Sequence, residues 1–196
     1  RTRRAAITDA LWPDLDPERA RANLSVTLTH LRQLLEPERR RGEPAFHLRQ
    51  QGDVLLLQPD PSSVVDLWAM QHHIEAAKTL ADHGRHDEAV AELSAVASAW
   101  VGELLVDLRG VDAFDAELRG LDRSVADAVA TLAEWSLARD DAARAADAAH
   151  VLLRHDPHDE RAHGVLIGSH LHTGDLTGAQ AAADRCEEAL ASLGVG

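Results

Sequence analysis

The stretch "LWPDLDPERARANLSVTLTHLRQLLEP", residues 11–37, contains the turn and the helix that decide the fold of the first third of the chain. In the helix predicted over Ala20 to Leu35, four leucines recur at i, i+4, i+7 and i+11, which places them in one narrow stripe. We expect the stripe, formed by Leu24, Leu28, Leu31 and Leu35, to face a core. The opposite face carries Ala22, Val26, Thr29 and Gln33, flanked by Ser25, His30 and Arg32.

Two further elements flank this helix. A helix is predicted from Arg3 to Leu11, with Thr2 as its cap, and the turn "PDLDP" then reverses the chain. After the second helix, the pattern of "AFHLRQQGDVLLLQP", Ala45 to Pro59, predicts a β-hairpin that turns at Gly52 and Asp53. Helix, turn, helix and hairpin follow one another in the C-terminal half of a winged helix.

Charge is divided unevenly along the 196 residues. Residues 1–60 hold ten Arg against nine acidic residues, whereas residues 61–196 hold ten Lys and Arg against twenty-four acidic residues. An acidic body repels nucleic acid, so any DNA contact is expected in the first part. The single cysteine, Cys186, fits a reducing compartment, and no stretch is typical of a membrane span or an export signal. We therefore expect a cytoplasmic protein with no membrane contact.

After residue 61 the sequence predicts only helices, separated by Gly, Asp and Pro. The expected helices are 64–82, 86–99, 112–138, 141–154, 159–172 and 176–193. Three breaks, at Gly84, Asp140 and Gly174, are each followed five residues later by an alanine, and the last two breaks are 34 residues apart. That spacing is the tetratricopeptide (TPR) period, in which small residues let paired helices approach closely. These alanines are Ala89, Ala145 and Ala179.

The two parts together resemble a known family. The segment "ALWPDLDPERARANLSVTLTHLRQLLEP" resembles the recognition-helix region of the response-regulator-type winged helix in SARP-like bacterial activators, named for Streptomyces antibiotic regulatory proteins. The segments from "VVDLWAMQHHIEAAKTL" to "EEALASLGV" resemble the bacterial transcriptional activator domain that accompanies it. The resemblance implies a mainly α fold, with a partial winged helix and its β-hairpin wing over residues 1–61 and a TPR-like α-helical repeat domain over residues 62–196.

The same resemblance implies a DNA-binding transcriptional regulator whose recognition helix, about residues 20–35, enters a major groove. The implied partners are double-stranded promoter DNA, RNA polymerase or another regulator, and a second copy in a homodimer. No cofactor and no metal are implied. The candidate DNA contacts are Arg3, Arg4, Ser25, Thr29, His30, Arg32, Gln33, Arg39, Arg40, Arg41 and Arg49.

Two features depart from the family pattern. Family members carry several arginines on the outward face of the recognition helix, whereas this face has Arg32, so affinity must come from the flanking arginines. In the family, a small sheet and a first helix precede the segment that opens here at Arg1, and they cover the leucine stripe. We expect the sequence to be part of a longer chain; the alternative is that the repeat domain covers the stripe.

The polar residues leave two alternatives open. The run Arg39–Arg41 either contacts DNA or is a solvated helix end that complements the helix dipole. The outward face of the recognition helix either reads bases or belongs to a degenerate winged helix that makes only protein contacts. The alternative function is accordingly an interaction scaffold whose repeat groove holds a peptide or a partner helix.

Catalysis and metal binding have little support in the sequence. It contains no phosphate-binding glycine loop, nucleophile elbow or HExxH motif, and its acidic residues are spread over helix surfaces. The histidines of "HDPHDERAH" lack the spacing of a helical metal site. We therefore predict that the protein is not an enzyme, and we interpret Trp68, Trp100 and Trp135 as core anchors of the repeat domain.

Overall fold

The computed structural model describes residues 1–40, 42–60 and 64–194. Two units are distinguished: Arg1–Val64 with Val111–Phe114, and Val65–Gly110 with Asp115–Gly196. The fold is mainly helical with one small antiparallel sheet, which confirms the expected fold class. The predicted boundary between residues 61 and 62 lies outside the described residues, as does Arg41. Among the described helices, none has the length and apolar character needed to cross a membrane.

The first unit combines two helices with a three-stranded sheet. Its elements are β1 (Thr2–Arg3), α1 (Arg4–Leu11), α2 (Pro17–Leu35), β2 (Leu48–Gln51) and β3 (Val54–Leu57). The strand order is β1-β3-β2, and both pairings are antiparallel. Helix α2 begins at Pro17, where the missing N–H would be unpaired in any residue. Asp16 caps the helix, because its side chain accepts from the N–H groups of Glu18 and Arg19.

Strand β1 is not predicted by the sequence. Thr2 lies in this strand instead of capping a helix, and α1 begins at Arg4 with no side-chain cap at Arg3. The prediction that Thr2 caps the first helix is therefore wrong. The strand is stabilised by pairing with β3, which is distant in the sequence. Thr2 pairs with Leu55, and the N–H of Arg4 donates to the carbonyl oxygen of Asp53 at 2.9 Å.

The core of the first unit is small. Its buried members are Leu24, Leu28, Leu48 and Leu55, with Ile7 and Trp12 packed against them. The second half of the leucine stripe is not buried, because Leu31 and Leu35 keep 41% and 44% of their surface exposed. The expectation that all four leucines face a core is wrong for these two. Two four-residue strands and an eight-residue helix are too short to cover a 19-residue helix along its whole length.

The second unit is a stack of three helical hairpins. Its helices are α3 (Asp66–Asp82), α4 (His86–Ala99), α5 (Asp115–Leu137), α6 (Ala142–His155), α7 (Glu160–His172) and α8 (Leu176–Ser192). Every helix predicted for this region is present, with ends close to the expected ones. A short 3₁₀ turn, Val106–Leu108, follows α4 in this unit, and a second one, Asp112–Phe114, lies between α4 and α5 in the chain but belongs to the first unit.

The three sequence breaks adopt the same turn. Gly84, Asp140 and Gly174 have φ angles of +72°, +63° and +76°, in the left-handed region that favours glycine. In each case the next residue donates its N–H across five residues to a carbonyl in the preceding helix at 2.9 Å, as in a Schellman motif. The predicted close-packing alanines follow each turn, and all are buried: Ala89, Ala145 and Ala179.

The tryptophans of the second unit do not all occupy its core. Trp100 is buried, and Trp135 is partly buried against the core. Trp68 keeps 44% of its surface exposed, so its assignment as a core anchor is wrong. It lies in the first turn of α3, which is the first helix of the stack, and a terminal helix can be covered by other helices on one side only.

Candidate nucleic-acid interface

The outward face of α2 forms a continuous exposed stripe. Ala22, Thr29 and Gln33 are exposed, and Val26 keeps 57% of its surface accessible. These residues are spaced three or four apart and therefore follow one side of the helix. Within α2, the only acidic residue is Glu18 in the first turn, next to the exposed Arg19. Beyond that turn the stripe is free of charge.

Arg4 connects this helix to the hairpin. Its Nη2 donates to Oγ of Ser25 at 3.0 Å, and its Nη1 donates to Oε1 of Gln50 in β2 at 2.9 Å. The Ser25 hydroxyl in turn donates to the carbonyl oxygen of Arg21 at 2.9 Å. Thr29 likewise donates its hydroxyl proton to the carbonyl oxygen of Ser25 at 2.9 Å. Three of the predicted site residues are thus engaged in hydrogen bonds inside the unit.

Arg32 and Arg39 also make internal contacts. Nε of Arg32 donates to the carbonyl oxygen of Leu48 at 3.0 Å, and its side chain is half-buried. Nη1 of Arg39 donates to the carbonyl oxygen of Glu43 at 2.6 Å. Nε of Arg39 lies 3.8 Å from Oε2 of Glu36. These guanidinium groups hold the segment between α2 and the hairpin in place.

Glu36 anchors the start of the hairpin, a role that we do not predict from the sequence. Its Oε1 accepts from the backbone N–H of His47 at 2.7 Å and from that of Phe46 at 2.8 Å. The hydrogen bond from His47 is the largest cause that lowers the pKa of Glu36, and the bond from Phe46 adds to it. The sequence did contain a signal for this role, namely a glutamate at the C-terminus of a helix. A carboxylate there is unfavourable for the helix dipole, so a nearby hydrogen-bond donor is expected.

The other predicted contacts have freer side chains. Arg3, His30, Gln33, Arg40 and Arg49 are all exposed. The guanidinium carbon of Arg49 lies 5.2 Å from the centre of the Phe46 ring, and the backbone N–H of Arg40 donates to Glu43. Arg41 lies outside the described residues. The structure therefore separates the predicted arginines into exposed ones and ones that are engaged by the fold.

The second unit has a candidate surface of another kind, a groove of about 360 Å³ between α3 and α5. Its apolar lining includes Ile74, Ala77, Ala81, Leu93, Ala128 and Trp135. Lys78, Asp82 and Asp127 add charged groups to the lining, and Nη1 of Arg161 lies 3.2 Å from Oδ1 of Asp127. Such a groove has the chemistry to hold apolar side chains of a peptide.

Two histidines of the second unit each contact a carboxylate at short distance. Nδ1 of His73 lies 2.5 Å from Oε2 of Glu92, and Nδ1 of His170 lies 2.9 Å from Oδ2 of Asp175. Over residues 1–40, 42–60 and 64–194, no group of three or more His, Cys, Asp or Glu side chains is arranged to hold a metal ion.

Comparison with known proteins identifies a family and a similar solved structure. The model of the family described as "Bacterial transcriptional activator domain" matches residues 65–195, about two thirds of the chain. None of the curated proteins matches the sequence. Among solved structures, EmbR of Mycobacterium tuberculosis, determined in complex with a low-affinity phosphopeptide, is similar to 97% of this chain.

The similarity to EmbR extends over both units. Sequence identity is 25%, and the TM-score is 0.70. The aligned region covers 50% of the EmbR chain, so this chain spans half the length of that protein. Because the family model covers most of the second unit, the chain belongs to the bacterial transcriptional activator domain family.

Proposed function

We propose that this chain is a DNA-binding transcriptional regulator of the SARP type. Helix α2 is the recognition helix, and the hairpin β2–β3 is the wing. The observation that carries the proposal is the exposed outward face of α2, which has no acidic residue after Glu18 and has exposed arginines near it in the sequence. Family membership and the likeness to EmbR support the regulatory role.

In this proposal the polar residues of the first unit make two kinds of DNA contact, to base edges and to phosphates. A major groove of about 12 Å admits one helix, so α2 can present His30, Gln33 and the methyl group of Thr29 to base edges. Arg3, Arg40 and Arg49 neutralise phosphates and supply most of the affinity, because each neutralised phosphate releases counterions. The predicted contacts that the fold engages, Arg4, Ser25, Arg32 and Arg39, hold the helix and the wing in register.

The second unit contributes protein contacts. Residues 61–196 hold ten Lys and Arg against twenty-four acidic residues, so this part repels DNA and helps to orient the more basic unit toward it. Its partners are RNA polymerase or another regulator, and a second copy of the chain is a further candidate. A regulator of this kind acts on promoter DNA in the cytoplasm.

The test is a titration of the chain against labelled double-stranded DNA of mixed sequence, followed by fluorescence anisotropy. Between about 50 and 200 mM salt, the logarithm of the binding constant should fall linearly with the logarithm of the salt concentration. Arg49→Ala should reduce the slope by about one, because one phosphate contact is lost. Arg119→Ala, on α5 of the acidic unit, is the matched control and should leave the slope unchanged. Absence of binding at the lowest salt would overturn the proposal.

A second candidate function is supported by the groove between α3 and α5. In that case the first unit makes only protein contacts, and the groove holds a peptide or a partner helix. The anisotropy titration distinguishes the two candidates. If this chain does not bind while a winged-helix protein of matched charge binds under the same conditions, the scaffold function is favoured.

A further inference from the structure

The hydroxyl groups on the outward face of α2 are already used by the protein. Ser25 both donates to Arg21 and accepts from Arg4, so its hydroxyl proton and one acceptor position are occupied. Thr29 has given its only hydroxyl proton to the carbonyl oxygen of Ser25 at 2.9 Å. Nε of Arg32 is likewise bonded to the carbonyl oxygen of Leu48. These three groups are therefore poorly placed to read bases, whereas His30 and Gln33 keep exposed side chains.

What remains on the stripe is mainly apolar. Ala22 and Val26 present methyl groups, and Thr29 presents its γ-methyl group once its hydroxyl is bonded to the helix backbone. Val26 is the largest of the three apolar groups, and 57% of its surface is exposed. Gln33, at the C-terminal end of the stripe, keeps a free amide.

The chemistry of the major groove identifies what these groups fit. Thymine is the base that carries a methyl group there, and it is contacted by apolar side chains such as Ala and the Thr methyl group. A glutamine amide matches the N6 and N7 atoms of adenine. Guanine is read by Arg or Lys, and none of the three arginines of α2 belongs to the stripe itself. Arg19 lies in the first turn beside Glu18, and Arg21 and Arg32 lie to one side of the stripe, with Nε of Arg32 bonded to Leu48.

We propose that α2 selects A·T base pairs, with thymine methyl groups packed against Ala22, Val26 and Thr29 and an adenine read by Gln33. The inference rests on the proposed function and specifies its substrate as duplex DNA with thymines in the bound major groove. Arg19 reads at most the edge of the site. Sequence specificity thus comes from apolar contacts at the centre of the helix. The arginines of the unit contact phosphates, which increases affinity for DNA of any sequence.

The first step of the test is to select bound sequences from a pool of random duplexes at low salt. A·T pairs should be enriched at the central positions of the bound site. In those sequences each thymine is then replaced by deoxyuridine, which removes the C5 methyl group and keeps every hydrogen-bonding group. Affinity should fall about 4-fold for each methyl group that packs against the helix, because one buried methyl or methylene group contributes about that factor.

Variants on α2 assign the effect to the stripe. Two duplexes are compared that carry either thymine or deoxyuridine at the base position that Val26 contacts. Val26→Ser should bind both with nearly equal affinity. Leu34→Ala is the matched control, because Leu34 lies on the same helix, is apolar and is 77% exposed, but lies about a quarter turn around the helix from Val26. It should preserve the preference for thymine. Circular dichroism of both variants should match that of the unchanged protein.

The outcomes separate the two proposals. Failure to bind any duplex at low salt overturns the DNA-binding function and this inference with it. Binding that is unaffected by deoxyuridine, or enrichment of G·C pairs at the centre of the site, overturns only the inference. A deoxyuridine effect that persists in Val26→Ser and disappears in Leu34→Ala would also overturn it, since another face of the helix would then read the DNA.

Discussion

The two units are stabilised in different ways. In the first, four buried leucines form the core, and Arg4, Arg32 and Glu36 tie together segments that are distant in the sequence. In the second, the buried core is far larger and comes mainly from Ala, Val and Leu on helices that follow one another in the chain. The comparison teaches that single side chains should matter more for the stability of the first unit than for that of the second.

The largest expected effect is on the small core. Leu28→Ala should destabilise the first unit by about 2–5 kcal/mol, because it removes a buried side chain and leaves a cavity that few neighbours can fill. Hydrogen exchange should show lost protection in α2 and the hairpin, with little change in α5 to α7. Leu166→Ala in α7 is the matched control and should reverse that distribution. Equal loss of protection in both units after Leu28→Ala would show that they unfold together and would break the comparison.

A smaller effect, at the turns of the repeat unit, sharpens the comparison. Gly174→Ala should destabilise this unit by about 1–2 kcal/mol, because φ at this turn is +76° and a side chain is strained there. Gly164→Ala carries the same change inside α7, where an added Cβ meets no atom within 4 Å. It should stabilise the unit by about 0.5–1 kcal/mol, since alanine favours the helix. Urea unfolding measures the change in the free energy of unfolding for each variant. A change in the same direction for Gly174→Ala and Gly164→Ala would contradict the argument.

The smallest expected effect is the pH dependence of the first unit. The folded state lowers the pKa of Glu36, so its carboxylate contributes stability that is present above the ordinary glutamate pKa of about 4.3. This contribution should be lost as the pH falls through the lowered pKa of the folded state. Glu36→Gln should remove that part of the pH dependence.

The readout must be specific to the first unit. Glu88 and Asp175, in the second unit, also have lowered pKa values and contribute pH dependence of the same sign. Hydrogen exchange at the N–H groups of Phe46 and His47 should therefore be measured across the acidic range, because these groups donate to Glu36. Protection that stays constant down to the lowest pH would show that Glu36 does not stabilise the hairpin.

The predictability of each element follows from the range of its interactions. The helices of the second unit and the alanines after Gly84, Asp140 and Gly174 are predicted because they depend on residues a few positions apart. Strand β1 escapes prediction because its partner is Leu55, more than fifty residues away. Leu31 and Leu35 have the spacing of core residues, and only the short neighbouring elements leave them exposed.

For the candidate site, the sequence predicts which side of α2 faces outward, and it leaves the state of the polar groups open. Ser25 is a plausible base reader by residue type. Its hydroxyl accepts from Arg4, 21 residues earlier, and Arg4 also donates to Gln50, which is 46 residues after Arg4. Such contacts between distant segments have no local periodicity and cannot be seen before the chain is folded.

By itself, the sequence determined the helices, the repeated turn, the uneven charge and the outward stripe of α2, because each is a property of neighbouring residues. The tertiary structure alone decided which leucines are buried, which arginines have exposed side chains and which polar groups of α2 are already hydrogen-bonded within the protein. The physical reason is that hydrogen-bond partners and burial depend on what long-range packing brings to each side chain.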